Sequence, residues 1–450
     1  MSFVKRFQDS LESLYIPAEN SQYVVAYSGG LDSHVLLHCF KQLGVAMRAV
    51  HVHHGLQADA DDWVDHCQQS CDQLGVQLDT LYVDAQPKAG DSPEEAARNA
   101  RYQALHQNLN KGDCLVTAQH KDDQAETLLL QLFRTASTAG LSAMPASKTF
   151  GQHVHIRPLL SFSRQEIEAY ARENSLQWVE DPSNQDTSYD RNFLRKEILP
   201  LLQQRWPEVS TQLATVAELQ SNNMRVLEDM AAIDLANAIT TTQTQSKTFV
   251  YRVISSLSIK RLRQLSSPRL LNLLRYWIIL NLDRQPTRNL LQEIEKTLIY
   301  SQQDANPEVA FYDFMFRRFQ GDIYLLIKSN ARELQDEMVW NPASPVSIER
   351  SDIRLQVVDS KGGGLNRELL DKTFTIRSRK GGEKFHPSGR RHSQSLKKLL
   401  QEANIPPWER DGIPLVYLGD ELIAVAGLWV CKEYSVAEGE DGWMIKVESV

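Results

Sequence analysis

Through the first half of the chain, short apolar runs alternate with longer segments in which apolar positions recur every three or four residues. The runs at 23–27, 48–53, 77–83 and 114–118 predict strands, and the segments between and after them predict helices near 32–43, 59–74, 93–109 and 122–133. Such alternation predicts an α/β fold with a parallel, Rossmann-like sheet, because parallel neighbours need a crossover and a helix supplies it. Ligands of these sheets bind beyond the carboxyl ends of the strands. Three chemically dense segments fall there, at 28–33, 51–56 and 119–126.

The pattern changes near Trp206 and Pro207 to a long helical stretch, 208–239, followed by the polar run TTTQTQSKT at 240–248, which reads as a connector. Residues 250–300 carry helical periodicity, with Leu270, Leu271, Leu274, Trp277 and Ile278 spaced for one buried face. A second boundary is expected at 341–345, after which short strands and glycine turns predict a small α/β or β-rich unit. A chain of 450 residues exceeds one compact core, and the expected division is 1–215 (nucleotide binding and catalysis), 216–340 (a central helical domain) and 345–450 (a small C-terminal α/β domain). No internal repeat is visible.

Composition narrows the class. Hydrophobic residues make up 42% and charged residues 24%, which fits a soluble globular protein and excludes disorder or fibre. The start, MSFVKRFQDSLESL, is amphipathic and lacks the apolar core of a signal peptide. The apolar stretch 414–431 is interrupted by Asp420 and Glu421 and reads as paired strands, so no membrane partner is expected. Five cysteines, an odd number, fit a reduced cytoplasmic protein, and Cys67 and Cys71 have no second pair to complete a zinc or iron–sulfur site. The net charge of -8 argues against nonspecific coating of nucleic acid, yet charge is uneven. Residues 377–398 hold eight Lys or Arg and one acid, Glu383, while 252–275 hold six basic residues and no acid. Either run is a solvated surface or a phosphate-binding patch.

SGGLDS, from Ser28 to Ser33, joins the first strand to the first helix, where a chain makes a backbone cradle for phosphate. Gly29 and Gly30 let the main chain approach an anion without a Cβ in the way. Asp32 beside a polyphosphate is repulsive unless a divalent cation intervenes, so it implies magnesium as well as nucleotide. In QHKDDQAET at 119–127, Asp123 and Glu126 stand three apart and can share a helix face, with Asp122 and Thr127 flanking. Acids at a helix start also complement the helix dipole; beside a phosphate loop they can complete a magnesium site or hold and deprotonate an amine. In SPEEAARNARYQAL at 92–105, Ser92 and Glu95 form a capping-box pattern, and Arg98 and Arg101 share a side suited to pyrophosphate or to solvent. HVHHGL at 51–56 could lend backbone to adenine or ribose; its histidines lack the further ligands of a metal site. The segment 178–195, WVEDPSNQDTSYDRNFLR, is dense in turn formers, with Asp181 and Asn184 placed to hold a structured loop.

These segments together resemble the tRNA(Ile)-lysidine synthetases of the PP-loop ATP-pyrophosphatase group, whose signature is SGGxDS. The likeness runs from Ser28 through HVHHGL, EEAARNARY, HKDDQAET and EDPSNQDTSYDRN to Arg195. It resumes at GGEKFHPSGRRHSQSLKKLLQEANIPPWERDGIPLV. One departure is visible: many members carry two histidines before the acidic pair, whereas here Gln119 precedes His120.

The resemblance implies a ligase that joins free L-lysine to carbon 2 of the wobble cytidine in the CAU anticodon of an isoleucine tRNA, through an adenylated cytidine. By the same resemblance Ser28, Gly29, Gly30, Leu31, Asp32 and Ser33 bind ATP, and Asp32 holds Mg2+. Asp32, Asp123 and Glu126 orient the lysine amine, and Arg98 or Arg101 offsets charge in adenylation. Arg377, Arg379, Lys380, Arg390, Arg391, Lys397 and Lys398 would grip tRNA phosphates; monomer and homodimer both stay open. The alternatives are a PP-loop tRNA thiolase, which needs reactive cysteines that the motif loops lack, and a non-catalytic RNA- or nucleotide-binding protein.

Overall fold

The computed structural model describes residues 1–16, 18, 21–55, 60–84, 93–134, 137–240, 251–301, 307–328, 337–347 and 353–449. The connector at 241–248, Ser92 of the capping-box pattern and Leu56 lie outside these. The chain divides into two compact units, Met1–Val226 and Leu227–Val450.

In the first unit the expected alternation is present: α1 (Phe3–Leu14), β1 (Tyr23–Ala26), α2 (Leu31–Leu43), β2 (Met47–His53), α3 (Ala60–Leu74), β3 (Leu78–Tyr82), α4 (Pro93–Asn108), β4 (Cys114–Val116) and α5 (Lys121–Phe133). A short α6 (Thr138–Leu141) precedes the hairpin β5 (Ser147–Phe150) and β6 (His153–Ile156), and α7 (Arg164–Glu173) follows. The sheet order is β3-β2-β1-β4-β6-β5, parallel except for β5 against β6. The order reverses between β1 and β4, and the crevice at such a switch point is where doubly wound sheets take their ligands.

Strand alternation sends β1 side chains to two cores. Tyr23 and Val25 pack with Val35, Phe40, Phe162 and Tyr170 on one face, and Val24 packs with Leu105, Leu109 and Leu115 on the other. Helix α2 starts from Gly30 and stops at Gly44, whose left-handed φ of 63° ends the helix without a Cβ penalty. Beyond α7 the chain forms α8 (Asp190–Phe193), one widened turn over Leu194–Ile198, and α9 (Leu199–Arg205). Pro200 has no N–H for the Lys196 carbonyl, which accounts for the widened turn, where Leu199 N–H reaches back to the Leu194 carbonyl.

Helix α10 (Val209–Ala238) carries the chain into the second unit. There β7 (Tyr251–Ser258), α11 (Ile259–Leu262), α12 (Ser267–Leu282), α13 (Arg288–Ile294), β8 (Glu308–Phe311), β9 (Phe314–Phe319) and β10 (Asp322–Lys328) follow. Leu270, Leu274, Trp277 and Ile278 are fully buried, as the helical spacing predicts. The purely helical expectation needs one correction: the helices pack on a four-stranded antiparallel sheet of order β7-β10-β9-β8. Its strand β10, DIYLLIK, is buried along its middle and carries no alternation to read.

The last segment holds β11 (Met338–Trp340), β12 (Val346–Ser347), β13 (Ile353–Lys361), β14 (Leu365–Asn366), β15 (Phe374–Arg377), β16 (Lys384–Phe385), β17 (Gln394–Ser395), α14 (Leu396–Glu402), α15 (Pro407–Arg410), β18 (Leu415–Leu418), β19 (Glu421–Val425), β20 (Trp429–Val430) and β21 (Asp441–Ser449). They make sheets of order β11-β15-β18-β19-β20, β12-β13-β21-β14 and β16-β17. Because β11 pairs with β15, this segment takes its first strand from before the boundary expected at 341–345. The run 414–431 is a hairpin turned at Gly419, as its interruption implied. Among the described residues no helix is long and apolar enough to cross a membrane.

Two buried histidines make the first unit acid-sensitive. Burial, with nearby His66 and His38, pushes His34 down to about 4, and burial together with Arg157 pushes His155 down to about 2, from an ordinary value of 6.5. Both are neutral when folded and take up a proton when unfolded, so their contribution is complete above pH 6.5 and declines as pH falls toward 4. Each adds a slope of ~1.4 kcal/mol per pH unit in that window. Denaturant unfolding of the first unit between pH 7.5 and 4.5 should show this decline, and His34→Gln should make it shallower; equal stability at both pH values would contradict it.

Candidate active site

At the end of β1 the backbone turns through Gly29, whose φ of 80° is left-handed. A Cβ there would lie 2.9 Å from Cys67 Sγ, so the position demands glycine twice over. Gly30, with an extended φ of -77°, opens α2 without a side-chain cap, which leaves the first N–H groups of that helix for an anion. Ser33 braces the loop: its hydroxyl donates to the Gly30 carbonyl at 2.9 Å, accepts from Ser28 N–H at 3.2 Å and lies 3.1 Å from Ser28 Oγ. From β2, His51 Nδ1 lies 3.0 Å from the Tyr27 carbonyl and supports the loop from below. Val179 N–H donates to the Gly29 carbonyl at 3.0 Å, which ties the 178–195 segment to the loop.

Asp32, in the first turn of α2, faces α7 and the start of α5. Arg164 Nη1 donates to both its oxygens, at 2.9 and 2.8 Å. His120 is buried among three carboxylates, with Nε2 3.8 Å from Asp32 Oδ1 and 3.5 Å from Asp123 Oδ2, and Nδ1 3.8 Å from Asp122 Oδ2. Burial pushes the Asp32 carboxyl above the usual range against the pull of His120 and Arg164. Asp122 is met by the backbone N–H of Arg164 at 2.8 Å, at the N-terminus of α7.

Asp123 and Glu126 share a face of α5, as their spacing predicts, and that face meets α8. Arg191 donates through Nε to Glu126 at 2.7 Å and through Nη2 to Asp123 at 2.9 Å. Arg195 donates through Nε to Glu126 at 2.6 Å and through Nη2 to Asp123 at 3.0 Å. Glu126 has no exposed surface. Burial works to raise Asp123, but His120, Arg191 and Arg195 outweigh it and hold the carboxyl below the usual range. For both arginines burial is likewise overcome, by Glu126 and Asp123, and each guanidinium is held more firmly charged than usual.

A second polar network lies at the ends of β4 and β6. Arg157 Nη2 points at His155 Nδ1 (3.4 Å), His155 Nε2 lies 2.7 Å from Thr117 Oγ1, and Thr117 donates in turn to the Gln119 amide oxygen, which also accepts from Arg157 Nε at 3.1 Å. With His155 neutral, the direction of donation is fixed along this chain, and the amide oxygen of Gln119 is engaged as a strut for the strand end.

Arg98 belongs to that side of the sheet. It stacks on Tyr102 at 5.1 Å, and its charge is felt by Lys148, His155 and Arg157, while Arg101 is felt by His54. The acids at Asp32, Asp123 and Glu126 draw their cations from elsewhere, namely Arg164, Arg191 and Arg195. These three arginines are what sequence reading missed. Arg191 and Arg195 stood in the 178–195 segment with the four-residue spacing that puts two side chains on one helix face, a signal that was available; Arg164 had none.

A PP-loop domain family matches residues 3–202, a TilS substrate binding domain residues 257–324, and a TilS substrate C-terminal domain residues 374–447. The tRNA(Ile)-lysidine synthase of Coxiella burnetii is 38% identical over 433 residues, covering 95% of this chain and 94% of its own. That of Methylococcus capsulatus is 41% identical over 423 residues, covering 93% and 94%. The chain belongs to the tRNA(Ile)-lysidine synthase family.

The C-terminal basic residues of this family member are unequal in their freedom. Arg377 stacks on Tyr417 at 4.7 Å and, like Lys380, pairs with Glu337; Arg379 pairs with Glu383 and Asp411; Arg390 and Lys398 pair with Glu402. Arg391 and Lys397 are exposed and, among the described residues, have no acidic partner. In the central run, Arg263 donates to the Ile299 carbonyl and Arg269 pairs with Asp234, so part of that patch is spent on the fold.

Gly29→Ala should cost about 1–3 kcal/mol of stability, from the left-handed backbone and the Cys67 contact together. Gly30→Ala, whose Cβ meets nothing nearer than Ser28 Oγ at 3.5 Å, should fall within about 0.5 kcal/mol of the wild type. Denaturant titration of the two variants reads the contrast, and equal losses would refute the steric account of the loop.

Proposed function

We propose that this chain ligates free lysine to carbon 2 of the wobble cytidine of a CAU-anticodon isoleucine tRNA, using ATP and releasing pyrophosphate and then AMP. The observation that carries the reading is the meeting, in one site, of the PP-loop carboxylate Asp32 with the Asp123–Glu126–Arg191–Arg195 cluster, on a chain of the lysidine synthase family. In the first stage the cytosine carbonyl oxygen attacks the α-phosphate and pyrophosphate leaves. In the second the lysine ε-amine attacks carbon 2, AMP leaves with the former carbonyl oxygen, and the amine loses a proton. A free ammonium with pKa near ~10.4 must surrender that proton to a base.

Ser28, Gly29, Gly30, Leu31 and Ser33 hold the phosphates, chiefly through backbone N–H groups. Asp32 fits magnesium as one protein ligand. An ion held by one protein carboxylate would take its other ligands from phosphate and water. Such an ion would offset phosphate charge. Asp32, Asp123 and Glu126 receive the lysine amine, with His120 between them. Arg191 and Arg195 are better placed than Arg98 or Arg101 to offset charge in adenylation, since they reach the acids beside the loop. Asp32, part-exposed and held above the usual carboxylate range where Asp123 and Glu126 are buried against two arginines, is the stronger candidate for the base.

On the tRNA, Arg391 and Lys397 are the most available phosphate ligands, with Arg377, Arg379, Lys380, Arg390 and Lys398 able to join by exchanging their acids. Replacing any one of these cations by alanine should reduce the salt slope of tRNA binding by about 0.7–0.9. A reaction on ATP, tRNA and free lysine belongs in the cytoplasm. The thiolase alternative loses support: all five cysteines are buried, and burial pushes Cys39, Cys67, Cys71 and Cys114 up to about 12, far from a sulfur-carrying thiolate.

Purified protein incubated with ATP, magnesium, labelled lysine and an unmodified CAU isoleucine tRNA transcript should place label in the RNA and release pyrophosphate. Asp32→Asn should reduce the rate by about 10²-fold or more while leaving RNA binding within about twofold. Release of ADP, or no label at any salt, would refute the reading.

A further inference from the structure

Every carboxylate of the site is already matched by a cation or a helix terminus. Asp123 and Glu126 share Arg191 and Arg195, Asp122 receives the Arg164 N–H, and Asp32 receives Arg164 Nη1 on both oxygens. An incoming cation at Asp32 therefore meets an occupied carboxylate. The occupant differs from the other two arginines in how it is held. The Arg164 side chain is 42% exposed, and among the described residues its one further side-chain anchor is Glu168, which takes Nε at 3.0 Å from one helical turn along α7. Arg191 and Arg195 are each bonded to two acids, one of them fully buried. Arg164 is thus the cation that can leave at small cost, and Glu168 keeps its guanidinium close to the loop when it does.

We propose that Arg164 is an exchangeable counter-ion of Asp32. It holds the carboxylate in place in the nucleotide-free protein, gives it up to the divalent cation that arrives with ATP, and turns its guanidinium to the incoming phosphates. The assignment rests on the reading that ATP binds at Ser28–Ser33. It makes Arg164 a positioning residue before ATP arrives and a phosphate ligand afterwards. The backbone N–H that meets Asp122 is kept by any residue other than proline, so side-chain variants at this position leave the α7 cap intact.

Titration of the nucleotide-free protein with Mn2+, read by paramagnetic resonance of the free ion, separates the exchange from a purely structural ion pair. Arg164→Gln should bind Mn2+ about tenfold more tightly than the wild type, because the competitor is gone. The gain should vanish in Arg164→Gln/Asp32→Asn, and Arg164→Lys should fall between. The same Arg164→Gln protein should bind ATP with magnesium at least about fivefold more weakly, having lost a phosphate ligand. Unchanged Mn2+ affinity in both Arg164→Gln and Arg164→Lys would overturn the exchange while leaving the ATP site standing. Failure of the wild type itself to bind ATP would overturn both.

Discussion

Glu126 is a carboxylate without exposed surface, and two guanidinium groups reach it, the pairing that a buried acid requires. That requirement organises the site. Arg191 in α8 and Arg195 in the widened turn that follows it stand four residues apart, and both reach the acids of α5. The segment that carries them is thereby pinned at its far end, and Val179 pins its near end to the Gly29 carbonyl. A stretch dense in turn-forming residues is thus held at one end by a backbone bond to the phosphate loop and at the other by an ionic cluster on α5.

The same pairing sets the electrostatics. A site that must handle a polyphosphate, a cation and an amine cannot leave its acids bare, because a buried unpaired carboxylate takes a proton and loses its use. Here each acid has a cation or a helix N–H within reach, and His120 lies between Asp32, Asp122 and Asp123 at 3.5–3.8 Å. Lysine and magnesium, as cations, enter such a site by replacing or joining partners. The position of this cluster follows from topology: β1 and β4 flank the point where strand order reverses, and the loop after one meets the helix after the other.

Much of this was legible in the sequence. The parallel-sheet alternation read correctly from β1 to α5 because each strand is short and apolar and each helix is amphipathic or glycine-capped. Asp123 and Glu126 at their three-residue spacing share a face of α5, as the sequence implied, while their role beside Asp32 came from the family resemblance and not from the residues alone. Other elements were not legible for identifiable reasons. In the sheet formed by β7 to β10, strand β10 is buried along its middle and shows no alternation, so the neighbouring helices dominated the pattern. Arg164 is brought to Asp32 by a fold contact across 132 residues, which no local spacing announces. The place of Gln119 was not legible either: its amide oxygen receives the end of a hydrogen-bond chain from His155 through Thr117, and accepts from Arg157 as well. Arg98 and Arg101 shared a helix side as expected, but that side faces the β6 network and His54.

The buried carboxylate of Glu126 holds the far end of the 178–195 segment in place. Amide hydrogen exchange in Glu126→Gln, compared with the wild type, measures this directly. The account predicts reduced protection across α8 and the turn at Pro182–Gln185, with β1 and the body of α2 unchanged. Unchanged protection in α8 would mean that something other than this ionic clamp orders the segment, and the account would be wrong.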